Sequence, residues 1–185
     1  MSPVRLSSIF RREPKDRPAS DLYMAIVEQA RQPQFYGAIG VPDTLDGRFE
    51  LIVLHAFIVI GRLREIGDAG SQTAQLLFDQ MLADMDRNLR EIGVGDLSVG
   101  KQVKRMATRF YGSVNAYDQG LDAADDQLLQ AAMERNVFGR DGTPKPAAAV
   151  LAGYLRREVR SAAKTVDAEI LAGRVRFGLP PEPPG

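Results

Sequence analysis

Apolar positions along the chain recur mostly at intervals of three and four, the spacing that gathers them on one face of a helix. From Ser71 onward, Leu76, Leu77, Met81, Met85, Leu89 and Ile92 form one such stripe, and Gly93 and Gly95 mark its end. Val99, Val103, Met106, Phe110, Val114 and Tyr117 form a second, which Ser98 is placed to cap. Ser20 and Asp21 predict the start of a helix carrying Leu22, Tyr23, Ile26 and Val27, closed before Pro33. Another is expected from about Ala123 to Phe138, where Asp122, Asp125 and Asp126 suit a helix N-terminus. Pro146 opens a last helix to about Leu171, with Val150, Leu151, Tyr154, Leu155, Val159 and Ala162 on its buried face.

One stretch departs from this rhythm. LIVLHAFIVI, Leu51 to Ile60, is apolar on every side but contains only ten residues, against the roughly 20 that a helix needs to cross a bilayer. Asp46 offers an N-cap, and Leu63 and Ile66 continue the helical spacing, so a buried central helix is expected over 46–67. No segment competes as a strand. The expected fold is therefore all-α: a single compact multi-helix domain of about six helices over 20–172, with flexible tails at both ends, basic at 1–19 and proline-rich at 173–185.

Composition changes this picture little. The chain has 185 residues, formal net charge zero and 44% hydrophobic residues, as expected of a soluble globular domain with no global pull toward nucleic acid. Cysteine is absent, which removes disulfides, thiolate metal sites and cysteine nucleophiles. The single histidine, His55, lies inside the apolar run and reads as a hydrogen-bonded core residue rather than a metal ligand. The first nineteen residues lack the apolar core of a secretory signal, and Glu13 and Asp16 argue against an organellar presequence. Ile9 and Phe10 beside Arg11 and Arg12 offer a weak anchor for an anionic membrane.

Two motifs invite chemistry. GDLSVGK, residues 95–101, has the glycine and lysine spacing of a phosphate loop, but Gln102 stands where the magnesium-holding hydroxyl belongs, and an amphipathic helix precedes it instead of a strand. It reads as a turn between helices. Asp79, Asp84 and Asp86 could suggest a magnesium-dependent isoprenoid-type enzyme, yet DAADD does not supply the matching second cluster. Asp79, Asp86 and Arg87 read better as surface pairs three and four residues apart. No catalytic residue, metal ligand or cofactor site is expected.

Two basic stripes remain: Lys101, Lys104, Arg105 and Arg109 on one helix, and Arg156, Arg157, Arg160 and Lys164 on another. They suit solvent, RNA of a ribosome, anionic lipid or an acidic partner. Phe35, Tyr36, Val41 and Pro42 sit in a connection between helices, and Tyr111 lies one position off its stripe. These five are candidate partner contacts, the alternative being that Phe35 and Tyr36 plug the end of the bundle.

Residues 35–63, FYGAIGVPDTLDGRFELIVLHAFIVIGRL, and residues 78–121, with DMDRNLRE, GVGDLSVGK and MATRFYG, resemble the ubiquinol-cytochrome c chaperone family, assembly factors of the cytochrome bc1 complex. The likeness runs from about Ser20 to Leu171. It implies a helical, non-enzymatic chaperone without cofactor, acting on newly made cytochrome b. In mitochondria the family works near the ribosomal tunnel exit with a small partner subunit. The implied location here is the cytoplasmic face of the inner membrane for a bacterial-type member, or the mitochondrial matrix for a eukaryotic one.

Overall fold

The central apolar run organises everything around it. In the computed structural model, which describes residues 16–139 and 145–183, all ten residues from Leu51 to Ile60 are buried in one helix, α3 (Leu45–Arg64). Around it stand α1 (Arg17–Ala30), α4 (Asp68–Glu91), α5 (Asp96–Asp122) and α7 (Pro146–Ala162), each in contact with α3. The short α2 (Pro33–Gly37) turns the chain between α1 and α3, and α6 (Gln127–Met133) packs between α5 and α7. The small α8 (Asp167–Leu171) closes the other side against α1 and α4. Among the described residues there are eight helices, six of them seven residues or longer, and no strand.

The amphipathic stripes face the core as the spacing predicts. Leu77, Met81, Met85 and Leu89 of α4 are buried, as are Val99, Met106, Phe110 and Tyr117 of α5. Each such side chain removed from water contributes roughly 1.5–3 kcal/mol, so the stripes rather than helix propensity hold these long helices in place.

Several boundaries differ from expectation, each for a visible reason. Thr44, not Asp46, caps α3: its hydroxyl accepts from the Gly47 N–H at 3.1 Å, leaving Asp46 free to meet Arg109. The turn after α4 is closed by Gly93, whose φ is +86°, while Gly95 has φ −61° and serves as the N-cap of α5 in place of Ser98. Gly93 N–H donates to the Arg90 carbonyl and Val94 N–H to the Leu89 carbonyl, the paired bonds of a Schellman ending. GDLSVGK therefore begins as a cap and continues as helix, with Lys101 exposed on α5. The helix expected over 123–138 starts at Gln127 and ends in a π-helical turn, Glu134–Phe138. The last helix breaks at Ala163–Val166 into α7 and α8.

The largest correction concerns the expected free tail at 173–185. From Gly173 to Leu179 the chain lies against α1, α3 and α7: Val175 and Phe177 pack on the core, and Gly178 and Leu179 are hydrogen-bonded to side chains of the bundle. A segment without periodicity reads as loose in sequence, but one aromatic anchor and a few backbone bonds tie it down. The Ile9, Phe10, Arg11 and Arg12 anchor and most of the loop before Pro146 lie outside the described residues.

Candidate functional site

At the start of α3 glycine lets the Pro42 carbonyl pack against residue 47, and between this end of α3, α5 and the π turn lies a polar cleft of about 660 Å³. Glu50 forms its floor. The side chain is buried, with Oε1 accepting from Arg109 Nη2 at 2.7 Å and Oε2 from Ser113 Oγ at 3.0 Å. Arg109 also reaches Asp46 at 2.5 Å, and Asn136 from the π turn donates to Ser113 Oγ at 3.2 Å. Burial raises the Glu50 carboxyl above its ordinary range, while Arg109 and Ser113 pull it back. Arg105, Thr108 and Arg135 line the open side. The network joins α3, α5 and the π turn.

A second feature is apolar. Tyr36 from α2, Leu45, Phe49 and Ile52 from α3, and Met85, Leu89 and Ile92 from the end of α4 line a groove of about 170 Å³, with Arg31 and Arg48 at its rim. Two of its apolar side chains face water, Ile92 at 66% exposure and Leu45 at 42%. Leu97, in the first turn of α5, is fully exposed. A third feature is a shallow aromatic groove where Phe78, Phe110 and Tyr111 meet, with ring centroids 4.9–5.6 Å apart and Tyr111 57% exposed.

The five candidate contacts thus scatter. Phe35 and Val41 are buried, and Phe35 packs edge-on against His55 and Tyr154 at 5.5 and 5.4 Å, so neither side chain is presented at the surface of the bundle. Tyr36 lines the apolar groove, its hydroxyl donating to the Ala30 carbonyl at 2.8 Å. Pro42 borders the polar cleft and Tyr111 the aromatic groove. Leu45, Ile92 and Leu97 escaped sequence reasoning. Ile92 sits at the end of a core stripe and reads as buried, although the helix ends before it; Leu97 follows the same turn, and that shared position was the available signal.

The basic stripes divide as well. Arg109 holds Glu50 and Asp46; Arg156 holds Asp126 at 2.5 Å and the carbonyls of Gly120 and Leu121; Arg157 holds Glu158 and the Leu179 carbonyl. These three serve the fold. Lys101, Lys104, Arg105, Arg160 and Lys164 stay exposed. Arg105 and Arg109 of α5 border the polar cleft, whereas Arg156, Arg157, Arg160 and Lys164 line a separate depression of about 430 Å³, so the stripes do not share one surface depression.

The acids of α4 are engaged in local pairs. Asp79 accepts from Gln75 and Asp86 from Arg90, while Arg87 pairs with Asp84 rather than with Asp86. Asp84 also accepts from Tyr23 and Asn88; burial pushes its carboxyl up, but these three donors together hold it below the usual range. No group of three or more acids or histidines among the described residues is placed to hold a metal ion. His55 is buried, with Nδ1 donating to the Leu51 carbonyl at 2.7 Å and Nε2 accepting from Tyr154 at 2.9 Å, and burial lowers its pKa to about 4. It is a neutral structural pillar.

The sequence pattern of the ubiquinol-cytochrome C chaperone family matches residues 37–177, from α2 through the anchoring Phe177. This chain belongs to the ubiquinol-cytochrome c chaperone family. A crystal structure of the Cbp3 homolog from Brucella abortus superposes on it with a TM-score of 0.79 at 36% identity, over 89% of this chain and 90% of that one. The ubiquinol-cytochrome-c reductase complex assembly factor 1 of Xenopus laevis is 26% identical over 83% of this chain and 77% of its own. Protein CBP3, mitochondrial, of Saccharomyces cerevisiae is 29% identical over 80% of this chain. The chain spans under half the length of the yeast and human relatives, 44% and 46%. In this ubiquinol-cytochrome c chaperone family member the polar cleft and the aromatic groove lie wholly within the matched region, while the apolar groove extends beyond it to Arg31 and Tyr36.

Proposed function

We propose that this chain is an assembly chaperone of the ubiquinol-cytochrome c reductase complex that acts by binding, without turnover, and that its client is newly made cytochrome b. Family membership and the names of its relatives support the first part. The observation that carries the second is the apolar groove at the ends of α3 and α4, where Leu45 and Ile92 are held in water by a rigid bundle beside Arg31 and Arg48. A helical scaffold that leaves such side chains uncovered suits an apolar client segment. No helix among the described residues is long and apolar enough to cross a membrane, so the client would be met from outside the bilayer.

On this reading the protein works at the inner face of the membrane that holds the complex. A ribosome, a small partner subunit or anionic lipid would engage the exposed Lys101, Lys104, Arg160 and Lys164. Membranes from a strain lacking the gene test the proposal through b-type haem spectra and cytochrome b immunoblots. Loss of cytochrome b with other respiratory haems intact, restored by wild type but not by Leu45→Asp with Ile92→Asp, is the expected result. Normal cytochrome b under conditions that require the complex overturns it.

A further inference from the structure

The segment after α8 crosses the bundle without secondary structure, yet side chains meet it one group at a time. Gly178 N–H donates to Glu158 Oε2 at 2.8 Å, the Gly178 carbonyl accepts from Gln29 Nε2 at 2.8 Å, and the Leu179 carbonyl accepts from Arg157 Nη2 at 2.5 Å. One residue earlier, Phe177 sets its ring edge-on against His55, with centroids 5.1 Å apart. His55 is itself packed edge-on against Phe35 and Tyr154.

This arrangement selects both residues of the pair. The aromatic ring fills a place walled by an aromatic cluster that is already fixed, because Tyr154 is locked by His55 on one side and by Gln29 on the other. A Cβ on residue 178 would lie 2.7 Å from Glu158 Oε1 and 3.3 Å from Arg157 Nη2, so glycine is the residue that fits there without shifting the buried Glu158 carboxylate. Glu158 is buried, and its two oxygens are divided between Arg157 and the backbone N–H of Gly178. With the segment away, that second oxygen loses the one donor the protein supplies to it among the described residues. A buried carboxylate prepared to receive a backbone N–H, a glutamine prepared to donate to a backbone carbonyl, and a pocket for one ring are the parts of a groove that binds extended peptide.

We propose that the groove formed by α1, α3 and α7 is a binding site for an extended polypeptide segment bearing an aromatic residue followed by glycine, and that residues 176–180 occupy it in cis until a partner polypeptide with that pair displaces them. The contacts are few and local, and Leu179, Arg174 and Arg176 are exposed, so the segment can leave without unpacking a helix. The groove is distinct from the apolar one at the ends of α3 and α4, so the two readings stand or fall separately.

The test uses the full chain carrying Phe177→Ala, titrated by calorimetry with the peptide RFGLPPEPPG, residues 176–185. The variant should bind the peptide. Wild type should bind it at least about tenfold more weakly, because the tethered segment competes at an effective concentration on the order of millimolar. A peptide with alanine in place of the phenylalanine should bind neither chain, and one with alanine in place of the glycine should bind the variant at least about tenfold more weakly. A folded variant that takes up no peptide, or takes up the alanine-for-glycine peptide equally well, overturns the proposal. Hydrogen exchange on wild type decides independently of any variant: amides of residues 174–180 should exchange roughly 100-fold faster than those of α3 and α7, and equal protection would make the segment a fixed part of the core.

Discussion

Replacing Arg109 with leucine takes away the guanidinium that meets the buried Glu50 and leaves Ser113 as its remaining side-chain donor. Removing one partner of a buried ion pair costs about 3–5 kcal/mol, because the other charge stays desolvated. Arg109 keeps 28% of its side chain exposed and Ser113 stays in place, which puts the expected loss at the lower end, about 3 kcal/mol near neutral pH. For a chain of this size that is roughly 6–12 °C in Tm. The pH dependence follows from the same geometry. Burial holds the Glu50 pKa above its ordinary value of 4.5, and loss of Arg109 raises it further. A carboxyl whose folded pKa lies above its unfolded one takes up a proton on folding between the two, so its contribution weakens as pH climbs from 4.5 through the folded value. Urea denaturation followed by circular dichroism at about pH 5 and about pH 7.5 should therefore show a smaller deficit at the lower pH. Adding Glu50→Gln should restore part of the loss at the higher one. A deficit under about 1 kcal/mol, or one equal at both pH values, would refute the reasoning.

Gly93→Ala should cost about 1–2 kcal/mol, since φ is +86° there, whereas Gly95→Ala, with open space around its Cβ, should shift Tm little; equal effects would mean the turn is closed differently. Gly120→Ala would place a Cβ 2.7 Å from the Leu129 Cα where α5 meets α6, and thermal melts should show a loss of about 1–3 kcal/mol or more. His55 must stay neutral to remain buried, so wild-type stability should fall as pH drops from its unfolded value of 6.5 toward 4, and His55→Gln should remove that part of the slope, on the order of 3 kcal/mol. A variant with an unchanged slope would show that another group titrates.

The helices of the bundle were legible because their apolar residues repeat with the helical period. Met81, Met85, Met106 and Phe110 needed no tertiary information to be placed inside. What escaped depended on neighbours distant in sequence. Glu50 stands at the flank of an apolar run where no periodicity marks it for burial, yet Arg109, 59 residues later, makes that burial tolerable. Gly93 and Gly95 are indistinguishable by composition; the Schellman bond from Val94 to Leu89 decides which one turns left-handed. Residues 173–179 carry no period at all, and their docking depends on Gln29 and Glu158. The family resemblance was carried by local blocks in α3, α4 and α5, which is why it could be read before any of these contacts.

The all-round burial of α3 has a consequence for how the molecule is made. Its cover on one side is α7, whose first residue is Pro146, more than eighty positions after Arg64 leaves the central helix. A chain emerging from its N-terminus therefore presents LIVLHAFIVI only partly shielded until α7 has followed it, more than eighty residues later, and a chain halted before α7 would display a sticky apolar helix. During its own synthesis this protein would thus pass through a stage in which its central apolar helix lacks one wall.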